Sequence, residues 1–116
     1  MNVTLQLMIL SIKHSKYREF QILVLDRKIP SAVYDGQKPL EECVMDIAEE
    51  YVEFRKGVYR PTLVDAVKTD DGLSIIYGFM IPDLLKIKLG GWMRMEDLFN
   101  AEQDLQKYCG YLYKIT

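Results

Sequence analysis

A run of carboxylates between residues 39 and 55 is the part of this sequence whose residue types and spacing could do chemistry. The segment, PLEECVMDIAEEYVEFR, has the pattern of one amphipathic helix. At about 100° per residue, five of its acids lie within an arc of about 100°, and its apolar residues fill an opposite arc. The five acids are Glu42, Asp46, Glu49, Glu50 and Glu53. The segment therefore presents several oxygen ligands on one face.

No lysine or arginine interrupts this acidic face before Arg55. The i,i+4 pairs Glu42/Asp46 and Asp46/Glu50 are like-charged, and each costs roughly 0.2–0.5 kcal/mol. Glu49 and Glu50 also lie toward the C-terminus of the predicted helix, where its dipole disfavours anions. Two interpretations stay open. The face is solvated surface, or it binds a hard divalent cation such as Mg²⁺, which often takes one or two protein carboxylates plus substrate phosphates.

Length and composition place limits on the class of protein. Residues 1–116 are enough for a single domain with one core. A net charge of −2 provides no basic field that would favour nucleic acid. The apolar run at 3–12 is too short to span a membrane and lacks the marks of a signal peptide. The two cysteines have no metal-ligand spacing and indicate free thiols, so we expect a cytoplasmic protein.

The hydrophobic pattern predicts an α+β domain with a mixed or antiparallel sheet flanked by helices. Strands are expected at residues 3–13, 20–25, 62–68 and 73–81. The acidic helix follows the second of these strands, and a second helix starts at Asn100.

Local signals predict where the elements begin and end. Pro39 suits the first position of the acidic helix, which makes Lys38 its N-cap. The helix should end near residues 55–57, where basic side chains and a glycine are available. Asp71-Gly72 fits a type I′ turn between the last two strands.

This order of elements, together with the residues around the acidic helix, resembles the Nudix fold. Gly36 matches the glycine before the helix in the family's sequence box. Residues 46–50, DIAEE, match the acidic core of that box at the right spacing from Gly36. Pro30 stands near the place of the box's Pro-Gly-Gly turn, and the segment at Trp92 resembles the one that introduces the family's last helix. The resemblance covers nearly the whole chain and implies a Nudix-like α/β/α sandwich.

The box is degenerate in this sequence. Ser31-Ala32 replaces the double glycine, and Gln37 stands where the family has Glu. Met45 stands in place of the Arg that orients and charge-balances the acids in the family, and Asp46 replaces a Glu. A displacement near 1 Å can lower a rate by about 10²-fold, so metal binding could survive while turnover is poor.

The resemblance also implies a function. The family cleaves a pyrophosphate linkage that joins a nucleoside diphosphate to another group, using divalent ions. It implies Mg²⁺ or Mn²⁺ as cofactor, Asp46, Glu49 and Glu50 as metal ligands, and Glu49 and Glu50 as the catalytic carboxylates. The expected partner is a nucleotide-type small molecule. A homodimer is also allowed, because Nudix domains this small often pair.

Two functional hypotheses remain open from the sequence. The first is a Mg²⁺-dependent Nudix-type hydrolase, which rests on the acidic triplet and its spacing from Gly36. The second is a catalytically weakened Nudix-fold module that binds a nucleotide or a protein partner, which rests on Gln37, Met45 and the missing glycines. Several aromatic residues could stack on a base, although aromatics on strands are more often core. They are Tyr34, Tyr59, Tyr77 and Trp92.

Overall fold

A computed structural model describes residues 2–13, 19–53, 59–82, 85–97, 110–111 and 113–115. In this part of the chain the elements are β1 (Asn2–Lys13), β2 (Glu19–Val24), β3 (Ser31–Val33), α1 (Leu40–Tyr51), β4 (Thr62–Thr69), β5 (Gly72–Met80) and β6 (Gly91–Arg94). The predicted start of the second helix at Asn100 lies outside the described residues, as does Cys109. Residues 110–111 and 113–115 are helical.

β1 is the centre of one mixed sheet because it pairs with three other strands. The order is β4-β5-β1-β2-β6, with β3 beside the first half of β1. β1 runs parallel to β5 and antiparallel to β2 and β3. A strand in this position is covered on both faces, which explains why seven of the ten residues from 3 to 12 are apolar. The predicted α+β class with a mixed sheet is confirmed.

Alternation along β1 sends its side chains into two separate cores. Leu5 and Leu7 are buried in the core that includes α1. Met8 and Leu10 are buried on the other side of the sheet with Tyr111, which belongs to the C-terminal helical residues. α1 contributes four buried side chains to the first core, namely Val44, Ile47, Ala48 and Tyr51. The sheet thus lies between helices, as the predicted sandwich requires.

α1 ends earlier than the sequence predicted. Its last helical residue is Tyr51, while Val52 is extended (φ −136°, ψ 136°) and forms a β-bridge with Ile87. The expected helix end near 55–57 was therefore wrong, and Glu53 lies outside the helix. α1 has twelve residues, and no helix in the described part of the chain is long and apolar enough to cross a membrane.

The segment around Ile87 satisfies polar groups at this helix end. The backbone N–H of Lys88 donates to the carbonyl of Tyr51 at 2.8 Å. The Nζ atom of Lys88 donates to the carbonyl of Glu49 at 2.9 Å. A cation beside the last carbonyls of a helix is favoured by its dipole. Because these contacts come from a distant segment, helix propensity did not predict the end of α1.

The N-terminal boundary also differs by one residue. Pro39, and not Lys38, is the N-cap of α1, with extended backbone angles (φ −55°, ψ 146°) and no side-chain capping bond. A proline has no backbone N–H to leave unsatisfied at this end.

The turn between β4 and β5 differs from its predicted form. Thr69 pairs with Gly72, so the residues at the tip of the β4–β5 hairpin are Asp70 and Asp71. A type I′ turn requires positive φ at both central residues. Asp70 and Asp71 do not meet this condition, so the predicted type I′ turn at Asp71-Gly72 was wrong. Among the described non-glycine residues, positive φ occurs at Asp26 and Arg27 (52° and 62°). The short strand β3 was likewise not predicted.

Candidate functional site

The turn that leads from β3 into α1 is held by local hydrogen bonds. The backbone N–H of Gln37 donates to Oδ1 of Asp35 at 2.9 Å, and the hydroxyl of Tyr34 donates to the carbonyl of Lys38. Gly36 has φ +80°, a left-handed conformation that glycine adopts without strain. These contacts fix the path of the chain just before α1 and so position Lys38.

The ammonium group of Lys38 forms an ion pair with Asp46, one of the predicted metal ligands. Nζ of Lys38 is 3.0 Å from Oδ2 of Asp46, and the two side chains are 55% and 40% exposed. The hydrogen bond to Asp46 and then its charge raise the pKa of Lys38, and the charge of Glu42 adds to the rise. Lys38 thus neutralises part of the negative charge on the acidic face of α1.

Glu49 and Glu50 lie on the last full turn of the same helix. Glu49 is half-buried and Glu50 is exposed. Burial raises the pKa of the neighbouring Tyr51, and the negative charge of Glu50 adds to that shift. Within the described ranges, no three His, Cys, Asp or Glu side chains are grouped so that they could hold a metal ion. The structure therefore places Asp46, Glu49 and Glu50 on one helix without assembling them into a three-carboxylate cage.

The donor set fits an ion that is shared with a phosphate ligand. Mg²⁺ is usually bound by one or two carboxylates together with waters and substrate phosphates. Asp46 and Glu50 are one helical turn apart, and both reach solvent. Both are hard oxygen donors, so these two residues match that mode of binding. Their assignment as ligands, with Glu49, stays a prediction.

A groove runs between β3, the turn after it and α1. Its volume is about 300 Å³, and we call it the Tyr34 groove. Its lining includes Leu5, Val33, Tyr34, Lys38, Asp46 and Ile47. Apolar side chains thus meet one aromatic ring, one cation and one carboxylate. This mixture suits a ligand that has both a flat apolar part and a charged part.

A second groove lies on the other side of the first turns of α1. Its volume is about 400 Å³, and we call it the Arg60 groove. Its lining includes Pro39, Glu42, Met45, Asp46, Tyr59 and Arg60. Asp46 lines both grooves. Met45, which stands where the resembled box has an arginine, lines this groove together with Arg60, which comes from the segment before β4.

The four aromatic candidates divide between the grooves and the core. Tyr34 lines the first groove and Tyr59 the second. The ring of Tyr59 also stacks on Phe79, with centroids 6.4 Å apart and an interplanar angle of 22°. Tyr77 is buried, and Trp92 packs against the same core. Tyr34 and Tyr59 are thus placed where a ligand could reach them from one of these two grooves.

The residues that sequence reasoning missed are Lys38 and Arg60. Lys38 was considered only as a weak N-cap, and nothing in the spacing of residue 60 connects it to the acidic helix. Both reach α1 through the tertiary path of the chain. The acidic face could be predicted from the sequence because its carboxylates recur at helical spacing along one helix. Lys38 and Arg60 lie outside that helix and have no such spacing.

Comparison with known proteins shows likeness in structure and not in sequence. No protein-family model matches the sequence, and no curated protein matches it. A mutT/nudix family protein from Listeria innocua superposes with a TM-score of 0.70 at 12% identity, covering 97% of this chain and 94% of that one.

Two further structures were solved with ligands or as a complex. The NUDIX domain of Shewanella oneidensis NrtR, complexed with ADP ribose, gives a TM-score of 0.62 at 13% identity and covers 95% of this chain and 87% of that one. A C. elegans Ap4A hydrolase binary complex gives 0.57 at 15% identity and covers 95% and 98%. The chain therefore has the Nudix fold.

Proposed function

We propose that this protein is a Nudix-type hydrolase that cleaves a pyrophosphate linkage in a nucleoside diphosphate derivative, with Mg²⁺ or Mn²⁺ as cofactor. The observation that carries the proposal is the position of Asp46, which belongs to the acidic face of α1 and lines two grooves in a Nudix fold. One structural neighbour is complexed with ADP ribose and another is an Ap4A hydrolase, which supports a ligand of this class.

The lining of the Tyr34 groove suits the parts of such a ligand. Tyr34 offers an aromatic ring on which a base can stack, and Leu5 and Ile47 offer apolar contact. Lys38 lines the same groove, and Arg60 lines the groove on the other side of Asp46. Ammonium and guanidinium groups both bind phosphate oxygens through charge-assisted hydrogen bonds.

The carboxylates of α1 have distinct tasks in this proposal. Asp46 and Glu50, one helical turn apart, would hold the divalent ion together with the phosphates of the ligand, with Glu49 as the third predicted ligand. When bound, the ion neutralises phosphate charge and lowers the pKa of a coordinated water. Glu49 or Glu50 accepts a hydrogen bond from the attacking water and orients it, which makes the pair the catalytic carboxylates.

A second function is favoured by one observation. The ion pair between Lys38 and Asp46 at 3.0 Å reduces the charge available to a metal, and Met45 leaves the carboxylates without the arginine of the box. A Nudix-fold module that binds a nucleotide or a protein partner without efficient turnover would have these features. Such a module would bind the nucleotide in the same groove as the hydrolase but would not cleave it efficiently.

The test is a titration of the wild type and of the double variant Glu49→Gln/Glu50→Gln with Mg²⁺ or Mn²⁺. Thermal melting reports binding of the ion, and phosphate released after phosphatase treatment reports cleavage of ADP ribose or Ap4A. The matched control is Asp70→Asn/Asp71→Asn, which removes two carboxylates from an exposed hairpin tip.

The outcomes separate the two functions. Metal stabilisation of the wild type and the control, lost in Glu49→Gln/Glu50→Gln and accompanied by cleavage, supports the hydrolase. Stabilisation without cleavage supports the binding module. No response to metal or nucleotide, with a double variant more stable than the wild type, would show that the acidic face is ordinary surface.

A further inference from the structure

The short strand β3 forms an edge of the sheet beside the Tyr34 groove. Within the described residues β3 pairs with β1 alone, and all three of its residues are exposed. Val33 is 71% exposed and belongs to the lining of the groove. The outer side of β3 is therefore open to a ligand that occupies this groove.

Two hydrogen bonds fix the phase of the ladder between β3 and β1. The backbone N–H of Tyr34 donates to the carbonyl of Val3 at 2.8 Å, and that of Leu7 donates to the carbonyl of Pro30 at 2.9 Å. Hydrogen-bonded and non-hydrogen-bonded pairs alternate along an antiparallel ladder. The pair midway between these two must therefore be hydrogen-bonded as well, and its neighbours on either side must not be.

This phase assigns a direction to each backbone group of β3. Ala32 lies opposite Leu5 at the midway position, so its N–H and C=O groups point toward β1. The same groups of Ser31 and Val33 point away from β1, as they do on an unpaired strand edge. The C=O of Ser31 and the N–H of Val33 are neighbours on that edge. The outer side of β3 thus presents a hydrogen-bond acceptor next to a donor.

The ring of Tyr34 lies on one face of the sheet beside this edge. Tyr34 packs against the core that includes α1 and also lines the groove. A planar ligand that pairs with the edge of a strand lies in the plane of the sheet, where an aromatic ring on one face can cover it. The groove therefore combines a ring on one face with two backbone groups in the plane.

We propose that the outer edge of β3 binds the base of the nucleotide ligand by two hydrogen bonds. The base has a donor and an acceptor on neighbouring atoms, as adenine has at N6 and N1. The N6 amino group donates to the C=O of Ser31, and N1 accepts from the N–H of Val33. An edge with only two outward-facing residues suits one base better than an extended peptide. This inference rests on the proposed function, because it concerns the base of the same ligand.

The first experiment changes one atom of the ligand and leaves the protein intact. Calorimetric titration with Mg²⁺ present compares AMP, which has no pyrophosphate linkage to cleave, with 1-deaza-AMP, which lacks the N1 acceptor. We expect 1-deaza-AMP to bind about three- to tenfold more weakly, the range for one neutral hydrogen bond. The matched control is 3-deaza-AMP, which keeps N1 and should bind as AMP does.

The second experiment removes the donor from the protein. Val33→Pro eliminates the outward N–H, and proline is tolerated on an edge strand where this group faces solvent. Val33→Ala shortens the same side chain but keeps the N–H, so it is the reference for Val33→Pro. Relative to Val33→Ala, Val33→Pro should bind AMP about three- to tenfold more weakly and should bind 1-deaza-AMP equally well. Ala32→Pro removes an N–H that points toward β1 and should lower the melting temperature much more than Val33→Pro.

The outcomes separate this inference from the proposed function. A wild type that binds AMP and 1-deaza-AMP equally well would overturn the pairing and leave the nucleotide site standing. A loss in Val33→Pro that is the same for both ligands, or a melting temperature as low as that of Ala32→Pro, would overturn it too. A wild type that binds neither AMP nor ADP ribose and cleaves no ADP ribose would refute the proposed function, and the base pairing with it.

Discussion

The phenol of Tyr111 donates a hydrogen bond to the carboxylate of Asp65, 46 residues earlier in the chain. Asp65 follows an irregularity in the pairing of β4 with β5, which lies between Leu63 and Asp65. The Nζ atom of Lys114 donates to the carbonyl of Val64 within the same irregularity, at 2.8 Å. The C-terminal helical residues are thus attached to β4 by polar contacts as well as by the buried ring of Tyr111.

Tyr111→Phe should lower the free energy of unfolding by about 1–2 kcal/mol, because it leaves a half-buried carboxylate without this donor. Tyr113 is 88% exposed and provides the matched control, so Tyr113→Phe should change stability very little. Urea denaturation of both variants measures the difference. Equal values for the two would mean that the contact with Asp65 contributes nothing.

Gly72 is required by the close approach of β1 to β5. A Cβ atom on Gly72 would lie 2.0 Å from the carbonyl oxygen of Asn2, and its φ is +155°. Backbone cannot move aside as a flexible side chain can, so Gly72→Ala should cost about 3 kcal/mol or more. Gly36→Ala, where φ is +80° and no atom lies within 4 Å, should cost about 1–2 kcal/mol. Thermal unfolding of both variants would rank them, and the reverse order would contradict the register of β1 with β5.

Stability should decline in alkaline solution because of two phenols. Burial raises the pKa of Tyr51 and Tyr77 above the ordinary 10.0, with smaller contributions from nearby glutamates. The folded state therefore favours the neutral phenols, and their contribution is complete below pH 10.0 and lost as the pH rises through the folded pKa. Urea denaturation at a series of pH values should show a flatter decline in Tyr51→Phe. Tyr113→Phe should decline as the wild type does.

Met45→Arg with Gln37→Glu restores two residues of the family's box. The new arginine would have Glu41 and Glu49 four residues away on either side, each pair adding roughly 0.2–0.5 kcal/mol of stability. If the protein is a hydrolase whose activity these two substitutions have weakened, better placement of the carboxylates should raise the rate of cleavage about ten- to hundredfold. Met45→Lys with Gln37→Glu supplies the charge without the guanidinium and should raise the rate less.

The opposite result of this restoration would also be informative. If the protein is instead a module that binds a nucleotide without turnover, the restored variant should gain no cleavage activity. Its affinity for ADP ribose should stay the same or fall. Calorimetric titration with ADP ribose alongside the cleavage assay distinguishes the two cases.

The sequence by itself determined the parts of the fold that depend on local repetition. β1 is apolar on both faces and is central, β5 alternates and is packed on the core, and α1 separates buried from acidic positions. These patterns are local because a strand repeats every two residues and a helix about every 3.6. The position of the carboxylates Asp46, Glu49 and Glu50 on one helix, next to a glycine-containing turn, could be predicted for the same reason.

The tertiary structure decided the features that join distant residues. α1 stops at Tyr51 because Lys88 and its neighbours meet the helix end there, so the acidic face lost Glu53, which the helical period had included. Lys38 reaches Asp46 because the turn before α1 folds back on the helix, and Arg60 lines one groove with Asp46 from another segment. Such contacts depend on the order in which strands pair and helices pack, and that order leaves no periodic trace in the sequence.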